Sequence, residues 1–172
     1  MRLKRINLLK SIILGKILHF NAMMRHLFIF LFCFLTFANG TDRYDKYFVG
    51  AGEQYHIPPL LLKNIAKIES NLNPNAICIN TNGTKDYGLM QINTIHLKRL
   101  HKQYGVTEEM LMQPKTNIYA GAQLLSSIIK KHGLTFESIG RYHSNTPEFK
   151  TKWNDKLIVQ LKKSLKKTNS KF

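Results

Sequence analysis

Acidic residues are scarce in this sequence, and it lacks the usual signatures of metal and phosphate chemistry. Ten Asp and Glu residues stand against 26 Lys and Arg residues, a formal net charge of +16 over 172 residues. It contains no HExxH pattern, no closely paired cysteines and no glycine-rich phosphate loop. The sequence therefore predicts no metal site and no cofactor. Its 44% apolar content suits one compact domain, and we expect a monomer with no nucleic-acid partner.

Cysteine is almost absent, since only Cys33 and Cys78 occur. Cys33 lies in an apolar segment without lipobox-like residues before it, so we expect no lipid attachment. If that segment is removed as a signal, no disulfide can form within the chain. Cys78 lies between two isoleucines in a run that predicts a short strand, and we interpret it as a buried structural thiol. The alternative is a disulfide with another chain.

The apolar run at residues 27–37 is too short to span a bilayer comfortably. Basic residues before it and small residues after it are typical of a secretory signal. We therefore assign residues 1–40 to a signal-peptide region and predict an exported, periplasmic protein. Met23 alone would begin a compact signal, so residues 1–22 are interpreted as an upstream extension from a misassigned start. An uncleaved anchor is the alternative, because residues 12–20 add a second apolar patch.

One acid, Glu69, is placed at the end of a predicted helix. Pro58 and Pro59 suit the first helical turn, apolar residues follow at helical spacing, and Pro74 ends the helix by restricting the residue before it. Glu69 then lies at the negative end of the helix dipole, which favours the neutral acid that a proton donor requires. The alternative is a solvated surface glutamate beside Lys67.

The rest of the domain is predicted to be helical apart from one hairpin. Asn82-Gly83 is a strong signal for a tight turn between two strands. A second helix is predicted to open at Gly88 and to end at Gly105. Pro114 opens another that ends at His132-Gly133, and in it Gly121 is expected to allow close approach of a neighbouring helix.

The chain ends in a predicted amphipathic helix that begins at Thr146-Pro147. Its apolar residues recur every four positions, and we expect Phe149 and Trp153 to pack on the domain. Residues 157–172 form a basic amphipathic tail, since many lysines and no acid follow Asp155. Two interpretations of this tail are open. It contacts an anionic wall or membrane surface, or it is a solvated, frayed terminus.

Several ordered motifs resemble the signature of the lytic transglycosylase family, whose fold is similar to goose-type lysozyme. The residues that carry the resemblance are Glu69-Ser70, Asn73-Pro74, Asn82-Gly83, Asp86, Gly88-Leu89-Met90-Gln91-Ile92-Asn93, Asn117, Tyr119-Ala120-Gly121 and Tyr142-His143-Ser144. The likeness is closest to small members that accompany secretion, conjugation and pilus assemblies. It implies a mainly α, lysozyme-like domain over residues 41–156, with one small β-hairpin beside the cleft.

The resemblance also implies a reaction on peptidoglycan glycan strands that needs a single acid. Glu69 protonates the glycosidic oxygen between N-acetylmuramic acid and N-acetylglucosamine, and its anion then removes the proton of the muramoyl C6 hydroxyl. A 1,6-anhydro ring forms without water, and an internal hydroxyl replaces a bimolecular attack. A scarcity of acids fits this scheme, since ordinary glycosidases use two carboxylates. By the same resemblance, the substrate-binding residues are Ser70, Gln91, Asn93 and Tyr142.

Other interpretations stay open from the sequence. A muramidase-type hydrolase would use Asp86 to position a water opposite Glu69, and a non-catalytic wall-binding subunit of a secretion apparatus needs neither residue. Gln91 and Asn93 are alternatively helix caps. His143 stands where the common family pattern, Ala-Tyr-Asn, has asparagine. We interpret it as a structural histidine.

Overall fold

A computed structural model describes residues 43–170 of the chain. The predicted signal region at residues 1–40, with its proposed extension at 1–22, lies outside the described residues. Within residues 43–170, no helix combines the length and the apolar character that a membrane crossing requires.

Helices dominate the described part of the chain, which confirms the predicted mainly α, lysozyme-like fold. The α-helices are α1 (Asp45–Tyr55), α2 (Pro59–Ser70), α3 (Leu97–Tyr104), α4 (Pro114–His132), α5 (Phe136–Gly140) and α6 (Pro147–Asn169). Short 3-10 turns lie at Thr94–His96 and Glu109–Met112, and the strands are β1 (Ile77–Ile79), β2 (Lys85–Tyr87) and β3 (Ile92–Asn93).

Helix α2 begins and ends where its sequence signals predict. Pro59 occupies the first turn, and Asn71 adopts a left-handed conformation with φ 54°, so that its N–H closes the helix on the carbonyls of Ala66 and Lys67. Glu69 therefore lies in the last turn. The buried face of α2 includes Leu62, which is fully buried.

The core lies between four helices. Helix α4 packs on α1, and α2 packs on both α1 and α6. The largest fully buried apolar side chains of the core come from several elements. They are Phe48, Leu62, Ile65, Leu89, Met90, Ile92, Leu100, Leu111, Ile118, Leu125 and Leu157. Burial of each such side chain contributes roughly 1.5–3 kcal/mol to folding, so helix α6 belongs to the core through Leu157. The helix runs without a break across the boundary predicted at residue 156.

The predicted hairpin is present, and a third strand extends it. The sheet order is β1-β2-β3, and both pairs are antiparallel. The prediction that a helix opens at Gly88 is wrong. Gly88 and Gln91 have φ values of 69° and 47°, which no right-handed helix contains. The chain turns there, enters β3 and begins helix α3 at Leu97.

Three further expectations are corrected by the structure. Cys78 is exposed rather than buried, because β1 is an edge strand whose three residues all face solvent. Phe149 is 56% exposed, whereas Trp153 is buried as predicted. Gly121 does allow close approach, but the nearest atoms belong to Met90 and the Tyr142 hydroxyl and not to a neighbouring helix. An added Cβ would lie 2.8 Å from Met90 and 2.9 Å from the hydroxyl.

Candidate active site

Glu69 lies at the wall of a large groove. The groove has a volume of about 1370 Å³, and its lining includes residues of the hairpin, of helix α4 and of the segment that joins α5 to α6. The Glu69 side chain is only 11% exposed. This burial excludes the alternative of a solvated surface glutamate, and it leaves the carboxyl accessible from the groove.

The two partners of the Glu69 carboxyl come from distant parts of the chain. Trp153, on helix α6, donates its indole Nε1–H to Glu69 Oε1 at 2.9 Å. His143 Nδ1 lies 3.5 Å from the same oxygen. The imidazole and indole rings are stacked, with centroids 5.7 Å apart and planes 9° from parallel. The indole N–H therefore holds one oxygen of the Glu69 carboxyl in place.

Sequence reasoning missed this pair of contacts. The sequence predicts Trp153 in the core and His143 in a structural role, because no local pattern connects position 69 with a residue 84 positions away. The apolar periodicity of helix α6 did predict that Trp153 faces the domain. It carried no information about where the indole N–H points.

A buried amide holds the turn that follows β2. The Asn117 side chain, on helix α4, accepts from the N–H of Met90 at 2.7 Å and donates to the carbonyls of Tyr87 at 2.7 Å and Leu111 at 2.8 Å. Asn117 is 1% exposed, and these three bonds use three of the hydrogen-bonding positions of its amide. They fix the segment that brings Gln91 to the groove.

Tyr142 lines the groove, and its hydroxyl bonds to the backbone. It donates to the carbonyl of Met90 at 2.8 Å, whereas Glu69 takes its donors from other residues. Burial, followed by the nearby charges of Glu69 and Asp86, raises the pKa of the Tyr142 hydroxyl well above its ordinary value. The hydroxyl therefore stays protonated and keeps its bond at neutral pH.

The hairpin wall is a network of amides around Asp86. Asn93 and Asn80 donate to its two carboxylate oxygens at 2.7 and 2.8 Å. Asn93 Oδ1 also accepts from the N–H of Ile95 at 2.9 Å, so the capping role left open for this residue is confirmed. Gln91 donates to the carbonyl of Gly88 at 2.9 Å. Asn93, Asp86 and Gln91 all line the groove.

Ser70 is the predicted site residue that lies outside the groove lining. Its hydroxyl bonds to the carbonyl of Leu89 at 2.9 Å and to that of Ala66 at 3.2 Å. These contacts tie the end of helix α2 to the turn that the buried amide holds. A contact of Ser70 with substrate stays a prediction. The structure shows that Ser70 links helix α2 to this turn.

Part of the groove lining is basic. Arg99 and Lys131 line the groove, together with His96. Burial, followed by the charge of Arg99, lowers the pKa of His96 below its ordinary value, so its neutral form is favoured. Within residues 43–170, no cluster of His, Cys, Asp and Glu side chains has the composition of a metal site.

A sheltered acid in a large groove, on a mainly helical domain with a small hairpin wall, defines the class of lysozyme-like domains. The chain belongs to the transglycosylase SLT domain family, whose model matches residues 46–157.

Named relatives support this membership. Protein IpgF of Shigella flexneri is 43% identical over 131 residues, which are 76% of this chain and 82% of that protein. Invasion protein IagB of Salmonella typhimurium (strain SL1344) is 41% identical over 97 residues, 56% of this chain and 60% of that protein. X polypeptide of Escherichia coli (strain K12) is 38% identical over 107 residues, 62% of this chain and 60% of that protein.

Proposed function

We propose that this protein is a peptidoglycan lytic transglycosylase and that Glu69 is its catalytic acid and base. The observation that carries the proposal is the Glu69 carboxyl, 11% exposed on a long groove and held by an indole N–H at 2.9 Å. Membership of the transglycosylase SLT domain family supports peptidoglycan as the substrate. The groove is large enough in volume to take several sugar units. Its amide-rich wall suits hydrogen bonds to N-acetyl groups.

In the first step, neutral Glu69 transfers its proton to the glycosidic oxygen as the bond from muramoyl C1 to that oxygen breaks. The N-acetylglucosamine unit leaves with a free hydroxyl, and positive charge develops at C1. The new Glu69 anion keeps the hydrogen bond from Trp153, which is stronger to a carboxylate than to a neutral acid. His143 Nδ1 lies 3.5 Å from the same oxygen.

In the second step, the Glu69 anion removes the proton of the muramoyl C6 hydroxyl as its oxygen bonds to C1. The 1,6-anhydro ring closes, and Glu69 returns to its neutral form. Because the attacking hydroxyl belongs to the same sugar, no second carboxylate is needed to position water. Asp86, the nearest candidate for that task, has an amide donor on each carboxylate oxygen, which suits a structural role in the hairpin.

The test compares wild type with Glu69→Gln on purified sacculi, followed by mass spectrometry of the products. We expect Glu69→Gln to lose about a hundred- to ten-thousand-fold in rate, and wild-type products to end in anhydromuramic acid. Glu53→Gln is the matched control, because the same change is made on an exposed helical residue. If wild type instead produces reducing ends, and Asp86→Asn does not, the protein is a hydrolase. Glycan binding with no cleavage by wild type would establish a wall-binding subunit.

We also propose that the protein is exported to the periplasm as a monomer and opens the wall locally for an envelope assembly. The apolar run at residues 27–37 supports export, and the similarity to a protein named for invasion supports the assembly. Intact-mass measurement of the protein from a periplasmic fraction tests the cleavage near residue 40, and the mass of the uncleaved precursor tests the start at Met23. A product that retains residues 1–40 in the membrane fraction would instead identify an anchor.

A further inference from the structure

A second, smaller pocket continues the groove on the other side of the catalytic acid. It has a volume of about 290 Å³ and shares Glu69, His143 and Phe149 with the main groove. Its remaining lining residues are Ile68, Lys152, Trp153 and Lys156. An occupant of this pocket therefore contacts the same carboxyl as the scissile bond does, so it must be compatible with a glycan in the groove.

The pocket is basic, and its basic character extends along helix α6. Lys152 and Lys156 are four residues apart and share one face of the helix. Lys163 and Lys167 follow each of them by eleven residues, about three helical turns, and so lie on the same face. All four are exposed. This row, which we call the lysine row, starts at the pocket and runs for roughly 22 Å along the helix.

Existing ion pairs do not neutralise the pocket. Lys152 pairs with Glu148 at 2.7 Å, but both side chains are more than two-thirds exposed, and exposed pairs of this kind are weak. Phe149 adds an apolar surface, 56% exposed, at the boundary between the two pockets. The pocket thus combines two lysines with an aromatic ring, a combination that suits a carboxylate on a chain with some apolar groups.

We infer that this pocket and the lysine row bind the acidic peptide that peptidoglycan carries on its muramic acid units. The inference rests on the proposed function and deepens it. The sugars themselves offer no anionic group once the lactyl carboxyl is joined to the peptide, whereas the peptide has free carboxylates. A lactyl group alone would fill the pocket only in part and would not reach the row beyond it. The peptide both fills the pocket and extends along the helix.

The experiment measures the affinity of full-length protein for two soluble glycan preparations, one with its peptides and one stripped of them by an amidase. Glu69→Gln is the background, so that cleavage does not interfere. The test variant adds Lys152→Gln and Lys156→Gln. The matched control adds Lys162→Gln and Lys166→Gln, which remove the same charge from the same helix outside the pocket lining.

We expect the test variant to bind peptide-bearing glycan about three- to tenfold more weakly, as the loss of two exposed charge contacts implies. Stripped glycan should bind both variants equally, and the control should match the background protein. A loss on the stripped glycan alone, in which the amidase has freed the lactyl carboxyl, would assign the lysines to that carboxylate. An equal loss on both preparations would assign them to the sugar chain, and either result would overturn the peptide. Unchanged affinity for peptide-bearing glycan would also overturn the inference. Neither result affects the proposed reaction, which is judged separately by the anhydro ends that wild type produces.

Discussion

Removal of the Asn117 side chain is expected to destabilise this protein severely. In Asn117→Ala, the N–H of Met90 and the carbonyls of Tyr87 and Leu111 lose their partners at a site where Asn117 is 1% exposed. Each buried group left unsatisfied costs about 1–3 kcal/mol. Because the three share one site and relax together, we expect a total of about 3–6 kcal/mol, a large part of the stability of a typical domain.

Urea unfolding followed by circular dichroism measures this loss as a fall in the transition midpoint. Asn145→Ala, at an exposed position, is the control and should stay within about 0.5 kcal/mol of wild type. Asn117→Asp keeps an acceptor for the N–H of Met90 but directs an oxygen at two carbonyls, so it should also be destabilised. A loss below about 1 kcal/mol in Asn117→Ala would refute the argument that this amide holds the turn.

Three further predictions follow from the site. Gly83 and Gly88 both have positive φ, but an added Cβ meets nothing at Gly83 and meets an atom at 2.6 Å at Gly88. Urea unfolding should therefore show a loss of about 1 kcal/mol of stability in Gly83→Ala and about 3 kcal/mol in Gly88→Ala. Burial raises the pKa of the Tyr142 hydroxyl well above 10.0, so above that pH the unfolded chain binds fewer protons and the free energy of unfolding falls as pH rises. In Tyr142→Phe, the free energy of unfolding measured between about pH 9 and 11 should therefore fall less steeply than in wild type. Trp153→Phe removes the N–H donor to Glu69 but keeps an aromatic ring, so kcat on sacculi should drop about tenfold with little change in fold.

Each of these predictions has an outcome that contradicts it. Equal losses in the two glycine variants would show that backbone conformation, and not the overlap at Gly88, sets the effect. A pH dependence that is the same in Tyr142→Phe would show that this hydroxyl does not titrate differently in the two states. Wild-type kcat in Trp153→Phe would show that the indole N–H only fills space beside the carboxyl.

The parts of the fold that follow from local signals could be predicted from the sequence. Helix α2 has prolines at its start and a stop at Asn71, and helix α4 begins at Pro114 and ends before Gly133, so both matched their signals. The sequence does not predict the turn at Gly88, because the residue type of Gln91 does not signal its positive φ and the turn is held by contacts with other elements. Those contacts include Asn117, which was recognised as part of a motif but not as the support of the turn.

The candidate site divides in the same physical way. Glu69 could be placed because its helix end and the surrounding motifs lie within a short stretch of chain. The exposure of Cys78 depends on β1 being the edge of the sheet, which strand propensity does not reveal. The indole of Trp153 reaches the acid only through the packing of α6 on α2, and such long-range placement is set by the whole core rather than by any local pattern.

The hydrogen bond from Trp153 on α6 to Glu69 on α2 makes the candidate site depend on the packing of two helices that are far apart in the chain. A nascent or partly translocated chain that still lacks residues 147–169 has its proton donor without the group that orients it. If the protein has the proposed function, removal of residues 147–169 should therefore lower its activity even where Glu69 is intact.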